Sequence, residues 1–176
     1  MQEIQSASHA EGNSLVMVAI DYQVAGAIVL QPTIRSEAKE VIEALRQRGI
    51  MSVYMISGDH KMPTRKLAAD LGVDQYFAEM LPEQKADFVE QLQLGNKSVC
   101  YIGDSINDAI ALKKATVSIS LRGASTVATD AAQVILMNQS LRPLGDLFDL
   151  VHDYQRHAKT TLIFVLAPRL KAVERG

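Results

Sequence analysis

Ser98-Val99-Cys100-Tyr101-Ile102-Gly103-Asp104-Ser105-Ile106-Asn107-Asp108-Ala109 is the stretch from which the rest of the chain is read. An apolar run ends at Gly103, two carboxylates and an amide follow within five residues, and a helical pattern begins at Ala109. This is the pattern of a strand whose C-terminal end opens into a loop rich in oxygen ligands. Asp104, Asn107 and Asp108 present hard oxygen atoms, with no sulfur or imidazole, and such a set suits Mg²⁺. Gly103 lets the backbone turn where a side chain would crowd a ligand. In open α/β sheets the crevice beyond the carboxyl ends of the strands is where ligands bind. An ordinary polar turn with Asn107 and Asp108 capping the next helix uses the same residue types. The partners found elsewhere in the chain separate the two readings.

Going outward from that stretch, the pattern alternates helices with short apolar strands. Leu15–Ile20 and Val24–Leu30 flank Asp21-Tyr22-Gln23 and read as a β-hairpin. Ala38, Val41, Ile42 and Leu45 recur at helical spacing within 36–48, and Gly49 follows as a stop. A strand is expected over 50–56, running into Ser57-Gly58-Asp59, and a helix over 63–71. Pro82 opens a helix with Ala86, Phe88, Val89 and Leu92 on its buried face. After the strand 99–102 come a helix over 109–115, a strand over 117–121, a helix over 125–132 and a strand over 134–137. A final amphipathic helix over 143–158 carries Leu144, Leu147, Phe148, Val151, Tyr154 and Ala158 on one stripe. This alternation predicts an α/β fold with a doubly wound parallel sheet, preceded by a small hairpin that breaks the pattern.

Composition narrows the possibilities. The net charge is −2 over 176 residues, which makes no electrostatic case for nucleic acid. The one cysteine, Cys100, rules out an internal disulfide framework and reads as a buried core thiol rather than a nucleophile. Residues 1–14 are polar and lack the apolar segment of a signal peptide. The apolar run Leu162-Ile163-Phe164-Val165-Leu166-Ala167-Pro168 is too short to span a bilayer. His9, His60, His152 and His157 are not at metal-ligand spacing.

A parallel sheet brings all strand C-termini to one edge, so Ser57, Lys85 and the 104–108 loop can converge although they are distant in sequence. A hydroxyl and backbone N–H groups grip phosphate oxygens, a lysine neutralises phosphate charge, and carboxylates hold Mg²⁺ against the same group. Phosphoryl transfer needs these parts, because its barrier falls mainly through positioning and charge stabilisation.

The motifs, in this order, resemble the haloacid-dehalogenase superfamily and, within it, the P-type cation-transporting ATPases, most closely the heavy-metal subclass. The family's Gly-Asp-Gly-x-Asn-Asp stands here as Gly103-Asp104-Ser105-Ile106-Asn107-Asp108, its Thr-Gly-Asp as Ser57-Gly58-Asp59, and its Pro-x-x-Lys as Pro82-Glu83-Gln84-Lys85 after Phe77-Ala78-Glu79. Weaker matches are Arg35-Ser36-Glu37-Ala38 and Thr129-Asp130-Ala131-Ala132. The resemblance implies three regions. Residues 1–31 are a tail and hairpin like the end of a nucleotide-binding domain, 32–158 a phosphorylation domain, and 159–176 a short tail like the start of a membrane helix. It also implies that Lys85 and Asp104 are catalytic, that Ser57, Gly58, Asp59 and Asn107 bind phosphate or nucleotide, and that Asp104 and Asp108 attend Mg²⁺.

The family's nucleophile lies in an Asp-Lys-Thr-Gly-Thr motif that this sequence does not contain. The expectation is a piece of a pump, inactive alone, that carries the Mg²⁺ and phosphate site. In the parent pump its partners are ATP, a transported metal cation and the remaining domains, at the cytoplasmic face of a membrane; the piece itself is expected to be soluble. Two alternatives stay open. One is a stand-alone phosphatase using Asp21, although Gln23 occupies the place of the usual acid/base aspartate. The other is a non-catalytic Mg²⁺- or phosphate-binding module, with which Ser105 in place of glycine is consistent.

Overall fold

The computed structural model describes residues 8, 10–31 and 33–173, with side chains through residue 162. The polar tail at 1–7, His9, Pro32 and the side chains of the apolar run beyond Leu162 lie outside the described residues. The chain divides into two compact units, residues 1–141 and 142–176.

The first unit opens with the expected hairpin. Strands β1 (Ser14–Ile20) and β2 (Gln23–Leu30) pair antiparallel, with Leu15 opposite Val29 and Ile20 opposite Gln23. The turn is therefore two residues rather than three. Asp21 and Tyr22 both take left-handed backbone (φ 50° and 61°), as a tight hairpin turn matched to the strand twist requires. A bulge interrupts the ladder between Val18 and Ala19.

Helix α1 (Ala38–Gln47) buries Ala38 and Val41. The Arg35-to-Ala38 segment before it has a structural task. Arg35 donates to the Gln139 carbonyl, and the Glu37 carboxylate accepts from Ser140 Oγ at 3.1 Å and the Leu141 N–H at 3.4 Å. These bonds tie the start of α1 to the loop after the last strand of this unit.

Two parallel ladders follow. β3 (Tyr54–Ile56) pairs with β4 (Gln75–Phe77), and α2 (Lys61–Leu71) connects them, ending at Gly72 in left-handed backbone (φ 68°). β5 (Cys100–Ile102), β6 (Val117–Leu121) and β7 (Val134–Leu136) form the second ladder, in that order. Between the ladders lies α3 (Pro82–Leu94); α4 (Ala109–Lys114) and α5 (Thr126–Ala131) connect β5 to β6 and β6 to β7. Among the described residues β3 and β5 make no ladder with each other.

The core sits where α3, α4 and α5 meet β5: Ala86, Val89, Tyr101, Ala111, Leu112, Ala115 and Ala128. Four of these seven are alanines, which let the helices approach closely while Val89 and Leu112, each 1% exposed, fill the space between. Ser125 caps α5 by accepting from the Ala128 N–H at 3.2 Å, and its own N–H donates to the Asp104 carbonyl at 3.0 Å. Ser125→Ala keeps the second bond and loses the first. It should lower stability by about 1 kcal/mol, read as a shifted urea midpoint with unchanged slope.

Three expectations change. β3 is shorter than the apolar run at 50–56, and Met51 at its start is 88% exposed. β4 was not expected at all. Cys100 is exposed rather than a core thiol, yet the atoms around it push its pKa up to about 11, so it is no more a nucleophile than expected.

In the second unit, helix α6 runs Pro143–Val173, past the end at Ala158 that its apolar stripe indicated, and Val151 and Tyr154 of that stripe are exposed. No helix among the described residues is long and apolar enough to cross a membrane.

Candidate functional site

The loop after β3 is stitched to the loop after β4. The Ser57 N–H donates to the Phe77 carbonyl at 2.8 Å, the Met80 N–H to the Ser57 carbonyl at 3.0 Å, and the Glu79 N–H to the Asp59 carbonyl at 2.9 Å. Glu79 takes a left-handed conformation (φ 57°), and its carboxylate meets His60 Nδ1 at 3.1 Å. The Ser57 hydroxyl is engaged locally: it accepts from the Asp59 N–H at 3.1 Å and donates to Asp59 Oδ2 at 3.2 Å. Ser57-Gly58-Asp59 is thus a braced turn at the end of a strand.

The loop after β5 closes on itself. Ile106–Asp108 form one 3₁₀ turn, and the Asp108 carboxylate reaches back to its start. Asp108 Oδ2 accepts from the Ser105 N–H at 3.2 Å and from Ser105 Oγ at 2.6 Å. Asp108 Oδ1 accepts from Lys85 Nζ at 2.8 Å and from Tyr101 Oη at 2.9 Å. A carboxylate has about four lone-pair positions, and here all four are filled.

Lys85 arrives from the first turn of α3. Pro82 opens that turn, and the Gln84 side chain accepts from the Leu81 N–H at 2.8 Å. The Lys85 and Asp108 side chains are only 9% and 10% exposed. Burial raises the Asp108 pKa, but the hydrogen bonds from Lys85, Ser105 and Tyr101 and the Lys85 charge outweigh it and hold the carboxyl below its ordinary value. Tyr101 moves the other way. Burial and the adjacent Asp108 charge push its phenol far above the usual value, so it is a donor at neutral pH.

Gly103 makes this closure possible. A Cβ there would lie 2.7 Å from Asp108 Cβ and 3.1 Å from Tyr101 Cε1.

The two loops and Lys85 face one open cleft of about 640 Å³ between the ends of β3 and β5. All seven residues picked out from the sequence line it: Ser57, Gly58, Asp59, Lys85, Asp104, Asn107 and Asp108. Asp104 and Asn107 are exposed. Two contributors were not picked out as site residues. Ser105 was noted only as a departure from glycine, and Tyr101 was read as part of an apolar strand. The phenol oxygen two residues before Gly103, on a strand otherwise without polar side-chain oxygens, is the signal that identifies it. Asp21 occupies the hairpin turn and is not among the residues lining the cleft.

Among the described residues, no three His, Cys, Asp or Glu side chains group closely enough to cage a metal ion. Mg²⁺ does not need a cage; it keeps several waters and takes one or two carboxylates plus a phosphate. The exposed Asp104 carboxylate fits that role. Asp108 was expected beside the metal too, but its carboxylate oxygens are occupied by four protein donors.

A family model described as haloacid dehalogenase-like hydrolase matches residues 1–116. The zinc-transporting ATPase of Bacillus subtilis (strain 168) is 36% identical over 167 residues, which are 95% of this chain and 26% of that protein. The probable copper-importing P-type ATPase A of Enterococcus hirae is 38% identical over 141 residues, 79% of this chain and 19% of that one. A crystal structure of a zinc-transporting PIB-type ATPase in its E2.Pi state superposes with a TM-score of 0.78 at 28% identity, covering 94% of this chain and 27% of the other. The chain thus spans about a fifth to a quarter of the length of these relatives. With the parallel α/β layers and the braced strand-end loops already in place, the match over residues 1–116 means that this chain belongs to the haloacid dehalogenase-like hydrolase family.

Proposed function

We propose that this chain is the phosphoryl-handling part of a P-type ATPase that couples ATP hydrolysis, through an aspartyl-phosphate, to the export of a heavy-metal cation. The observation that carries this reading is the single cleft in which a buried lysine, an exposed aspartate and a braced Ser-Gly-Asp turn meet. The relatives named above, a zinc-transporting ATPase and a probable copper-importing P-type ATPase, support the cargo class.

Within the cleft, Lys85 presents its ammonium to the phosphoryl oxygens as a point charge. Gly58 and Asp59, with the Ser57 hydroxyl, line the wall opposite the 104–108 loop and orient the group between them. Asn107 supplies an amide to the same oxygens. Asp104 holds Mg²⁺, which when bound neutralises phosphoryl charge. Asp108 serves by fixing Lys85. The carboxylate that accepts the phosphoryl group comes from outside this cleft; the edges of β3 and β5, which have no strand between them among the described residues, support that placement. ATP, the cation and the other pump domains are the partners of the whole assembly, and the site works at the cytoplasmic face of its membrane.

The test is calorimetric titration of Mg²⁺ into the 176-residue chain with inorganic phosphate present. Wild type binds. Asp104→Ala weakens binding by more than about tenfold, because even partners that merely support a metal ligand are worth that much. The chain alone neither hydrolyses ATP nor becomes phosphorylated on an aspartate. Hydrolysis of a phosphate ester that disappears in Asp21→Asn replaces this reading with a stand-alone phosphatase. Equal titrations for wild type and Asp104→Ala replace it with a module lacking the metal site.

A further inference from the structure

We infer that Tyr101 is a positioning residue for the cleft: by donating its phenol to the Asp108 oxygen that also holds Lys85, it aims the Lys85 ammonium at the bound phosphoryl group. This rests on the phosphate-handling role proposed above.

A lysine ammonium sits on four rotatable bonds and carries three donors. Among the described residues Lys85 spends one of them, on Asp108 Oδ1 at 2.8 Å, while lining the cleft. Where the ammonium rests is therefore decided by where Asp108 Oδ1 rests. Asp108 belongs to a single 3₁₀ turn, and Ser105 from the same turn holds only the other oxygen, Oδ2. Tyr101 is the one donor to Oδ1 that comes from a strand. Its hydroxyl stands 2.9 Å from that oxygen, its ring is 8% exposed in the core cluster, and β5 is laddered to β6. The phenol thus ties the Lys85–Asp108 pair to the sheet. Packing alone does not call for it, since phenylalanine has the same ring and fills the same volume.

A charge held in place before its ligand arrives binds that ligand more tightly than one that must be ordered on binding. The first measurement is inorganic phosphate affinity of the 176-residue chain with and without Tyr101→Phe. The expected result is a three- to tenfold weaker dissociation constant in the variant, about the share of a charge-assisted hydrogen bond that ordering expresses. The second is the ¹⁵N-ammonium NMR signal of Lys85, assigned by its loss in Lys85→Arg. It is expected to be sharp and protected from exchange in wild type and broadened in Tyr101→Phe. A purely structural hydroxyl would lower the unfolding midpoint and leave both readouts unmoved. Ser105→Ala, which removes one donor from the opposite oxygen, should move both in the same sense by less, and it serves if Tyr101→Phe folds poorly.

Phosphate affinity within twofold of wild type together with an unchanged Lys85 signal overturns the inference. If wild type binds no phosphate, the functional reading above fails. The Lys85 signal then still decides whether Tyr101 orders the ammonium, and an unchanged signal overturns that as well.

Discussion

Asp108→Ala is expected to cost about 3–5 kcal/mol of folding stability, the range for removing one partner of a buried ion pair. The size follows from what is left behind. Lys85 remains 9% exposed with its Asp108 counter-charge gone, and Tyr101 Oη and Ser105 Oγ lose their acceptor. Urea unfolding reads the loss directly. The exposed pair Asp153–Arg156, 3.3 Å apart with both side chains more than half exposed, is the comparison: Asp153→Ala should change stability by less than about 1 kcal/mol. Replacing both partners, Lys85→Met with Asp108→Leu, should recover part of the Asp108→Ala loss, because no charge is then left unpaired. Recovery stays incomplete, since the two hydroxyl donors are still orphaned.

The same carboxylate sets a pH dependence. Its pKa is lowered in the folded state, so it contributes stability above the unfolded aspartate value of about 3.9 and loses that contribution as pH falls through the folded value. Wild type therefore weakens below about pH 4 in a way that Asp108→Ala does not share. Stability curves of the two chains measured between neutral and acid pH should converge. Curves that remain parallel would mean that Asp108 is not the charged partner of Lys85.

Gly103→Ala is the second large effect. The new methyl would lie 2.7 Å from Asp108 Cβ, 3.0 Å from Asp108 Cγ and 3.1 Å from Tyr101 Cε1. None of these neighbours is the loose end of a flexible chain. Asp108 is pinned by four donors, and the Tyr101 ring is locked in the core. Relief must come from displacing the 104–108 loop, at about 1–3 kcal/mol for an overpacked site, and from breaking the bonds that hold Asp108. Loss of stability should therefore come with loss of the Mg²⁺-dependent phosphate signal. Gly26→Ala is the control: a Cβ there meets nothing within 4 Å, and stability should be unchanged or slightly improved. Near-native stability and phosphate binding in Gly103→Ala would show that the loop is softer than its bonding indicates.

Local patterns carried much of the fold. The hairpin was legible because two uncharged apolar runs flank a short polar turn, and α3 because a proline at its first helical position and a glycine at its end punctuate it. β4 was not legible. Gln75-Tyr76-Phe77 is three residues with a polar start, and it is a strand only because β3 lies alongside it. The same ladder explains why β3 is shorter than its apolar run: the pairing extends only as far as the three residues that β4 supplies. Cys100 shares an apolar run with buried Tyr101, but neighbouring strand residues face opposite ways, and its own face is left open.

The sequence by itself determined which chemistry gathers at the strand ends. Glycine before aspartate, the Ser-Gly-Asp turn and the lysine three residues after a helix-opening proline are local signals, readable from residue type and spacing. Only the tertiary structure decided which of those groups contact one another. Whether Asp108 faces a metal or a lysine depends on where α3 delivers Lys85, and whether Tyr101 is packing or a hydrogen-bond donor depends on which carboxylate the next turn folds over it. Those contacts join α3, β5 and the turn after β5, 23 residues apart between Lys85 and Asp108. Spacing along one strand or helix carries no information about such distances. They are set by the packing of the alanine-rich core beneath.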